Sequence, residues 1–254
     1  MYIRIDGKQV EAKKWDTILS AARRADIDIP SLCHHPALET VGTCRLCIVE
    51  VMMEGLAERK VVTACETKVA ANMEVYTRTE SIRKARRTTL DLLMARAPHS
   101  EVLQTLSVKN GLEPRMHPVI PEANDCVLCL LCVRACEQMG CNAISVSGRG
   151  ESRSIAPPFL SPPDACVGCG ACARICPTNC IEMTDSPTTR TIWGKSFERT
   201  RCESCGAPMM PVAYRQYAIA QRDLPEDYYA QCQECKRKEI SLKYADLVVK
   251  VQHG

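Results

Sequence analysis

Two C-x2-C-x2-C-x3-C runs, Cys126, Cys129, Cys132, Cys136 and Cys166, Cys169, Cys172, Cys176, stand about forty residues apart and constrain this chain more than any other feature. Three thiolates two residues apart wrap one face of a cubane in a tight loop, and a fourth arrives from a helix crossing behind. A chain built this way folds in part around its inorganic centres, because metal-binding free energy is folding free energy. The aromatic count fits that picture, with 2 Trp, 2 Phe and 7 Tyr in 254 residues. Eight cysteines could also hold zinc, but a zinc site closes with four ligands and has no need of two interlocked runs. The pair therefore specifies [4Fe–4S] chemistry, and with it the movement of electrons.

The chain carries 18 cysteines, far above ordinary usage. Its opening, MYIRIDGKQVEAKKWDT, is polar and alternating, with no apolar signal region. A cytoplasmic location is expected, where thiols stay reduced and clustered cysteines read as metal ligands. No window approaches 18 uncharged apolar residues, so no membrane span is expected. The net charge of +3 makes no case for nucleic acid. One basic cluster, Arg78 to Arg96, reads as a solvated helix face, with an acidic partner's docking site as the alternative.

The expected fold class is α+β, in two or three small domains. Residues 1–78 open with a hairpin about Asp6–Gly7, followed by a short helix from Ile18 to Ala25 capped by Asp16 or Thr17. A second strand pair at Ile48–Met52 and Lys60–Ala64, with Glu54–Gly55 in the turn, suggests a β-grasp module. Residues 79–121 read as a helical connector ending in a stiff stretch at Pro114, Pro118 and Pro121. Residues 122–185 hold the two runs, separated by an irregular Gly- and Pro-rich insertion, SGRGESRSIAPPFLSPPD. Residues 190–254 form a separate unit with a helix and turn between two C-x2-C pairs.

The doubled run resembles a bacterial-type 2[4Fe–4S] ferredoxin, in which the fourth cysteine of each run ligates the other cluster. That resemblance implies one cluster on Cys126, Cys129, Cys132 and Cys176, and a second on Cys166, Cys169, Cys172 and Cys136. Gly168, Gly170 and Ala171 would leave room for the cluster and supply N–H donors to its sulfurs. Glu137 stands where proline is usual, whereas Pro177 follows the second run. Cys141 and Cys180 are left over and read as small buried hydrophobes.

Upstream, Cys33, Cys44, Cys47 and Cys65 are spaced C-x10-C-x2-C-x17-C, with a longer first loop than a plant-type [2Fe–2S] ferredoxin. The text PSLCHHPALETVGTCRLCIVEV resembles the [2Fe–2S] domain of the large peripheral iron–sulfur subunit of respiratory complex I. The same module occurs in NAD-linked hydrogenases and formate dehydrogenases. The likeness continues through DCVLCLLCVRACEQ and GRGESRSI, over about residues 1–185. It implies a [2Fe–2S] cluster on the four cysteines, with Gly42 folding the loop back and Arg45 donating near it. His34 and His35 are unneeded as ligands. That family also carries an H-x3-C-x2-C-x5-C cluster. Here His99 is in place, but no cysteine lies between Cys65 and Cys126, so that centre cannot be built. Electrons must then pass straight from the [2Fe–2S] centre to a [4Fe–4S] centre, or on to a partner.

Cys202, Cys205, Cys232 and Cys235 give C-x2-C-x26-C-x2-C, two knuckles suited to tetrahedral Zn2+ in a zinc-ribbon-like unit, with another iron site as the alternative. No G-x-G-x-x-G, P-loop, catalytic triad or H-E-x-x-H is legible, and no flavin, nicotinamide or molybdopterin site. The expectation is an electron-transfer subunit without its own substrate site, active in anaerobic metabolism. By resemblance it works in a hetero-oligomer, between an NAD(P)H-linked flavoprotein and a hydrogenase, formate dehydrogenase or aldehyde oxidoreductase. The alternative is a multi-zinc scaffold that binds nucleic acid or protein.

Overall fold

Strand alternation sets the N-terminal sheet. Ile3 and Ile5 on β1 (Tyr2–Ile5) and Val10 on β2 (Lys8–Glu11) are buried while their neighbours face solvent. Asp6 and Gly7, at φ 47° and 81°, make the two-residue turn between them. This computed structural model describes residues 1–53, 55, 58–111 and 124–252. It divides into two units, one of residues 1–140, 144–156 and 172–180, the other of 141–143, 157–171 and 181–254.

In the first unit, α1 (Ile18–Arg24) starts at a reciprocal cap. Ser20 N donates to Thr17 Oγ1 at 3.1 Å, and Thr17 N donates to Ser20 Oγ at 2.9 Å. β3 (Ile48–Met52) and β4 (Lys60–Thr63) form the second hairpin. Glu54, in its expected turn, lies outside the described residues. Sequence patterning gives no sign of β5 (Glu74–Tyr76), because three residues are too few to alternate. That strand joins the two hairpins, parallel to β1 and antiparallel to β3, in a five-stranded sheet ordered β2-β1-β5-β3-β4. Ile18, Leu19, Ala21 and Ala22 of α1 share a core with Ile3, Ile5, Val49, Val51, Met73 and Val75.

The connector is two helices, α2 (Glu80–Arg96) and α3 (Glu101–Lys109), broken at Pro98. Thr79 caps α2 by accepting from Ile82 N at 3.2 Å. The expected proline-stiffened stretch at 114–121 lies outside the described residues. Leu90, Ala97 and Leu103 build a second core with Leu46, Val127 and Leu131. α4 (Leu131–Gln138) follows the first cysteine loop. The insertion expected to be irregular contains a hairpin, β6 (Ser145–Ser147) with β7 (Ser154–Ala156). Gly148 makes the hairpin possible: its φ is +72°, and a Cβ there would lie 2.4 Å from Ser152 O. α5 spans Ala171–Ile175.

The second unit holds four antiparallel strands, β8 (Met183–Asp185), β9 (Thr189–Ile192), β10 (Lys195–Arg201) and β11 (Pro208–Pro211), ordered β11-β10-β9-β8. These strands are hard to read from sequence because one inward position of β9 is a charged residue, Arg190, beside Ile192 and Phe197. α6 (Val212–Arg222) and α7 (Gln233–Gln252) complete it. Among the described residues no helix is long and apolar enough to cross a membrane.

Candidate functional site

Cys33 and Cys44 sit in the loop after α1, Cys47 directly precedes β3, and Cys65 follows β4. The two strands bring their ends together, with Ala64 N donating to Cys47 O at 2.9 Å and the Cys47 and Cys65 sulfurs 3.3 Å apart. Leu32 N donates to Cys44 Sγ and Cys44 N to Cys33 Sγ, both at 3.4 Å. All four thiols are buried and none forms a disulfide. The Cys44 thiol beside Cys33 lowers the Cys33 pKa to about 5, and the Cys65 thiol lowers that of Cys47 to about 7. Cys44 and Cys65 are pushed up in turn by the neighbouring thiolates and by burial. Four buried thiols cannot all ionise without a cation among them, so the donor set fits a cationic iron core.

The histidines are occupied elsewhere. His34 Nδ1 is 3.1 Å from Arg23 Nη1, and His35 Nδ1 accepts from Ala37 N at 3.2 Å. Gly42, at φ +56°, makes room for a side chain: a Cβ there would fall 2.0 Å from Glu66 Oε2. Arg45 is exposed, also at positive φ. The basic cluster is not uniformly solvated as expected. Arg86 is only 4% exposed. It donates to Leu46 O and Ile48 O at 3.0 Å each and to Thr77 O at 3.4 Å, so its charge lies against the carbonyls flanking Cys47.

Cys126 and Cys129 occupy a loop in which Asp125, Leu128 and Leu130 have φ of 55°, 51° and 61°, and Cys132 follows in the first turn of α4. Leu128 N and Leu131 N donate to the sulfurs of Cys126 and Cys129. Burial pushes Cys129 up to about 11 and Cys132 to about 12. Cys176, from the end of α5, lies in the same unit. Its sulfur is 3.5 Å from that of Cys180, whose thiol lowers Cys176 to about 5 and Cys126 to about 7. Cys180 is thus not the buried hydrophobe expected: it is half-buried and packs on two ligand-type sulfurs, whereas Cys141 is buried.

Two arginines brace this loop, and sequence spacing gives no sign of either role. Arg96 Nε donates to Cys126 O at 2.8 Å, and its guanidinium also reaches Arg153 O. Arg134 donates to Cys33 O at 2.6 Å, to Leu130 O at 3.3 Å and to Cys129 O at 3.4 Å, and also binds Glu39 O. Thr43 Oγ1 donates to Cys129 O at 3.3 Å. Cys33, Cys44 and Cys129 accordingly share one buried cluster with Leu32, Leu46 and Leu131. His99 N donates to Asp125 Oδ1 at 3.0 Å.

In the second unit, Cys166 and Cys169 lie in the loop before α5, while Cys136 is on α4 and Cys172 on α5 in the first unit. Gly168 N donates to Cys166 Sγ at 3.4 Å. The space these glycines leave is taken by protein: a Cβ on Gly168 would lie 2.7 Å from the Phe197 ring, and one on Gly170 2.6 Å from Met183 Sδ. Arg190 donates to Gly168 O and Cys169 O at 3.2 Å each and pairs with Asp185 at 2.6 Å. Lys195 Nζ donates to the carbonyls of Pro163, Asp164 and Cys166 at 3.1, 3.2 and 3.4 Å.

Cys202 and Cys205 fall in the turn between β10 and β11, and Cys232 and Cys235 at the start of α7. Their four sulfurs lie within 4.8 Å of one another. Tetrahedral zinc with bonds of about 2.3 Å requires sulfurs about 3.8 Å apart, and Cys205 and Cys232 are separated by 3.8 Å. The four thiolates of a cubane cap four different irons and stand farther apart, so this group fits one ion.

Residues 1–80 match the model of a 2Fe-2S iron-sulfur cluster binding domain, and residues 119–183 that of a 4Fe-4S dicluster domain. NADP-reducing hydrogenase subunit HndD of Solidesulfovibrio fructosivorans is 32% identical over 70% of this chain and 35% of its own length. The NADH-ubiquinone oxidoreductase 75 kDa subunit of Reclinomonas americana is 33% identical over 59% of this chain and 25% of its own. The chain thus spans about a quarter to a third of those curated relatives. A chain from the crystal structure of NAD+-reducing [NiFe]-hydrogenase in the H2-reduced state superposes with a TM-score of 0.59 at 28% identity, covering 70% of this chain and 85% of that one. This chain carries a 2Fe-2S iron-sulfur cluster binding domain and a 4Fe-4S dicluster domain, and it is homologous to subunits of NADH-ubiquinone oxidoreductase and NADP-reducing hydrogenase and to a chain of NAD+-reducing [NiFe]-hydrogenase.

Proposed function

We propose that the chain is a non-catalytic electron-transfer subunit of an NAD(P)-linked hetero-oligomeric oxidoreductase in the cytoplasm. It relays electrons between a flavoprotein that exchanges them with NAD(P)H and a second redox enzyme of hydrogenase, formate dehydrogenase or aldehyde oxidoreductase type. The domains would be 1–78 for [2Fe–2S], 79–121 as connector, 122–185 for the two cubanes and 190–254 for zinc. Cys33, Cys44, Cys47 and Cys65 would hold the [2Fe–2S] cluster, and Cys126, Cys129, Cys132 and Cys176 the first [4Fe–4S] cluster. Cys166, Cys169, Cys172 and Cys136 would hold the second, and Cys202, Cys205, Cys232 and Cys235 would hold Zn2+. Bound there, each cluster would supply one-electron redox chemistry.

The observation that carries this reading is the packing of the Cys33 and Cys129 loops into one apolar core, with Arg134 donating to both carbonyls. That arrangement supports direct exchange between the [2Fe–2S] site and the first cubane site, with no histidine-ligated centre between them. Arg134, Thr43 and the surrounding leucines fix the spacing and keep water out. Arg86, Arg96 and Arg134 hold positive charge against carbonyls beside the ligand-type cysteines, which favours the reduced state of each centre. The test is metal analysis of the anaerobically purified chain with its co-purifying subunits. The reading predicts a brown protein with about ten iron atoms and one zinc. A colourless protein loaded with about four zinc would favour the scaffold reading instead.

A further inference from the structure

The first cubane site has one thiol more than it needs. Cys126, Cys129, Cys132 and Cys176 complete four ligands, yet Cys180 Sγ lies 3.5 Å from Cys176 Sγ and is hydrogen-bonded to Cys126 Sγ as well. The backbone explains the closeness. Cys176 N closes a turn onto Ala173 O at 3.4 Å, and Asn179 N closes the next onto Cys176 O at 3.3 Å. Asn179 is at φ 54°, which turns the chain back so that residue 180 returns to the sulfur of residue 176. Three thiols therefore meet at one corner of the site, and Cys180 contacts the sulfurs of both Cys126 and Cys176.

We propose that Cys180 is a reserve ligand of the first cubane site, able to take over the iron held by Cys176 or, in its absence, by Cys126. The proposal rests on the reading that Cys126, Cys129, Cys132 and Cys176 bind a [4Fe–4S] cluster. The exchange balances without an oxidant or reductant. One Fe–S bond to Cys176 breaks, one to Cys180 forms, and the proton on Cys180 passes to the departing sulfur 3.5 Å away. Net charge and the electron count of the cluster stay the same. While Cys176 is bound, the Cys180 S–H donates to its sulfur and shields that corner, the less buried side of the site.

Four variants of the full chain, purified anaerobically, test this: C129A, C176A, C126A and the double variant C176A/C180A. Iron content and the EPR spectrum of the reduced protein are the readouts, and the [2Fe–2S] signal reports that the chain has folded. C129A has no reserve thiol and should lose one cubane, about four irons in ten. C176A should keep both cubanes, whereas C176A/C180A, like C129A, should lose one. Loss of the cubane in folded C176A as complete as in the double variant would overturn the proposal. If C176A does not fold, C126A decides in the same way, since Cys180 touches that sulfur too. Retention of both cubanes in C129A and in the double variant would instead refute the underlying ligand assignment.

Discussion

Replacing Arg86 with methionine should be among the most damaging single changes to the N-terminal domain, and the structure gives the size of the effect. The side chain is 4% exposed and its guanidinium donates to three carbonyls, two of them at 3.0 Å, from Leu46 and Ile48 on either side of Cys47. Methionine keeps most of the volume, so little of the loss comes from a cavity. What is lost is hydrogen bonding from a charged donor, worth about 1.5–3 kcal/mol per bond, and carbonyls are left buried without partners. Counting only the two shorter bonds gives about 3–6 kcal/mol. For a chain of this size each kcal/mol moves Tm by about 2–4 °C, so R86M should melt roughly 6–24 °C lower. Visible circular dichroism of the [2Fe–2S] centre during an anaerobic thermal ramp reads the transition. R86K, which can meet one or two of the carbonyls, should fall between. A Tm for R86M within about 2 °C of the parent would refute the reasoning, because it would mean that these carbonyls are satisfied without Arg86.

Gly168→Ala should disturb the second cubane selectively, since its Cβ would strike the Phe197 ring at 2.7 Å from a φ of +70°; EPR should show that signal reduced, and F197L should restore part of it. Arg134→Gln should leave the iron count intact but make the [2Fe–2S] and first cubane potentials more negative, by on the order of tens of millivolts for a unit charge at an effective dielectric of about 20. A redox titration should show the second cubane unmoved. At the C-terminal group, backbone N–H donation from Cys232 lowers Cys202 to about 6, so it is already a thiolate at pH 7, whereas Cys235 is pushed up to about 12 by its thiol neighbours. Zinc binding to the metal-free protein at pH 7 should therefore release three protons or fewer, and affinity should fall as pH drops through 6; competition with a chelator across pH measures both.

The ligand-type cysteines were legible because cluster chemistry fixes their spacing, and the first hairpin and α1 because Asp6–Gly7 and Thr17 are strong local signals. The joining strand β5 was not, since only pairing with β1 and β3 defines a three-residue strand. The C-terminal sheet was obscured by buried Arg190, which occupies a core position in order to bind Gly168 O and Cys169 O. Arg86 and Arg134 show the same limit. Each reaches carbonyls about 40 or 100 residues away, a relation that no local pattern encodes. Cys180 was misread because its neighbours in sequence say nothing of the sulfur of Cys126.

The central claim is direct contact between the [2Fe–2S] site and the first cubane site. Microwave power saturation of the [2Fe–2S] EPR signal in the fully reduced chain tests it. Spin coupling should make that signal relax faster in the parent protein than in C129A, where the neighbouring cubane is lost. Identical saturation in the two proteins, with the cubane present in one and absent in the other, would contradict it.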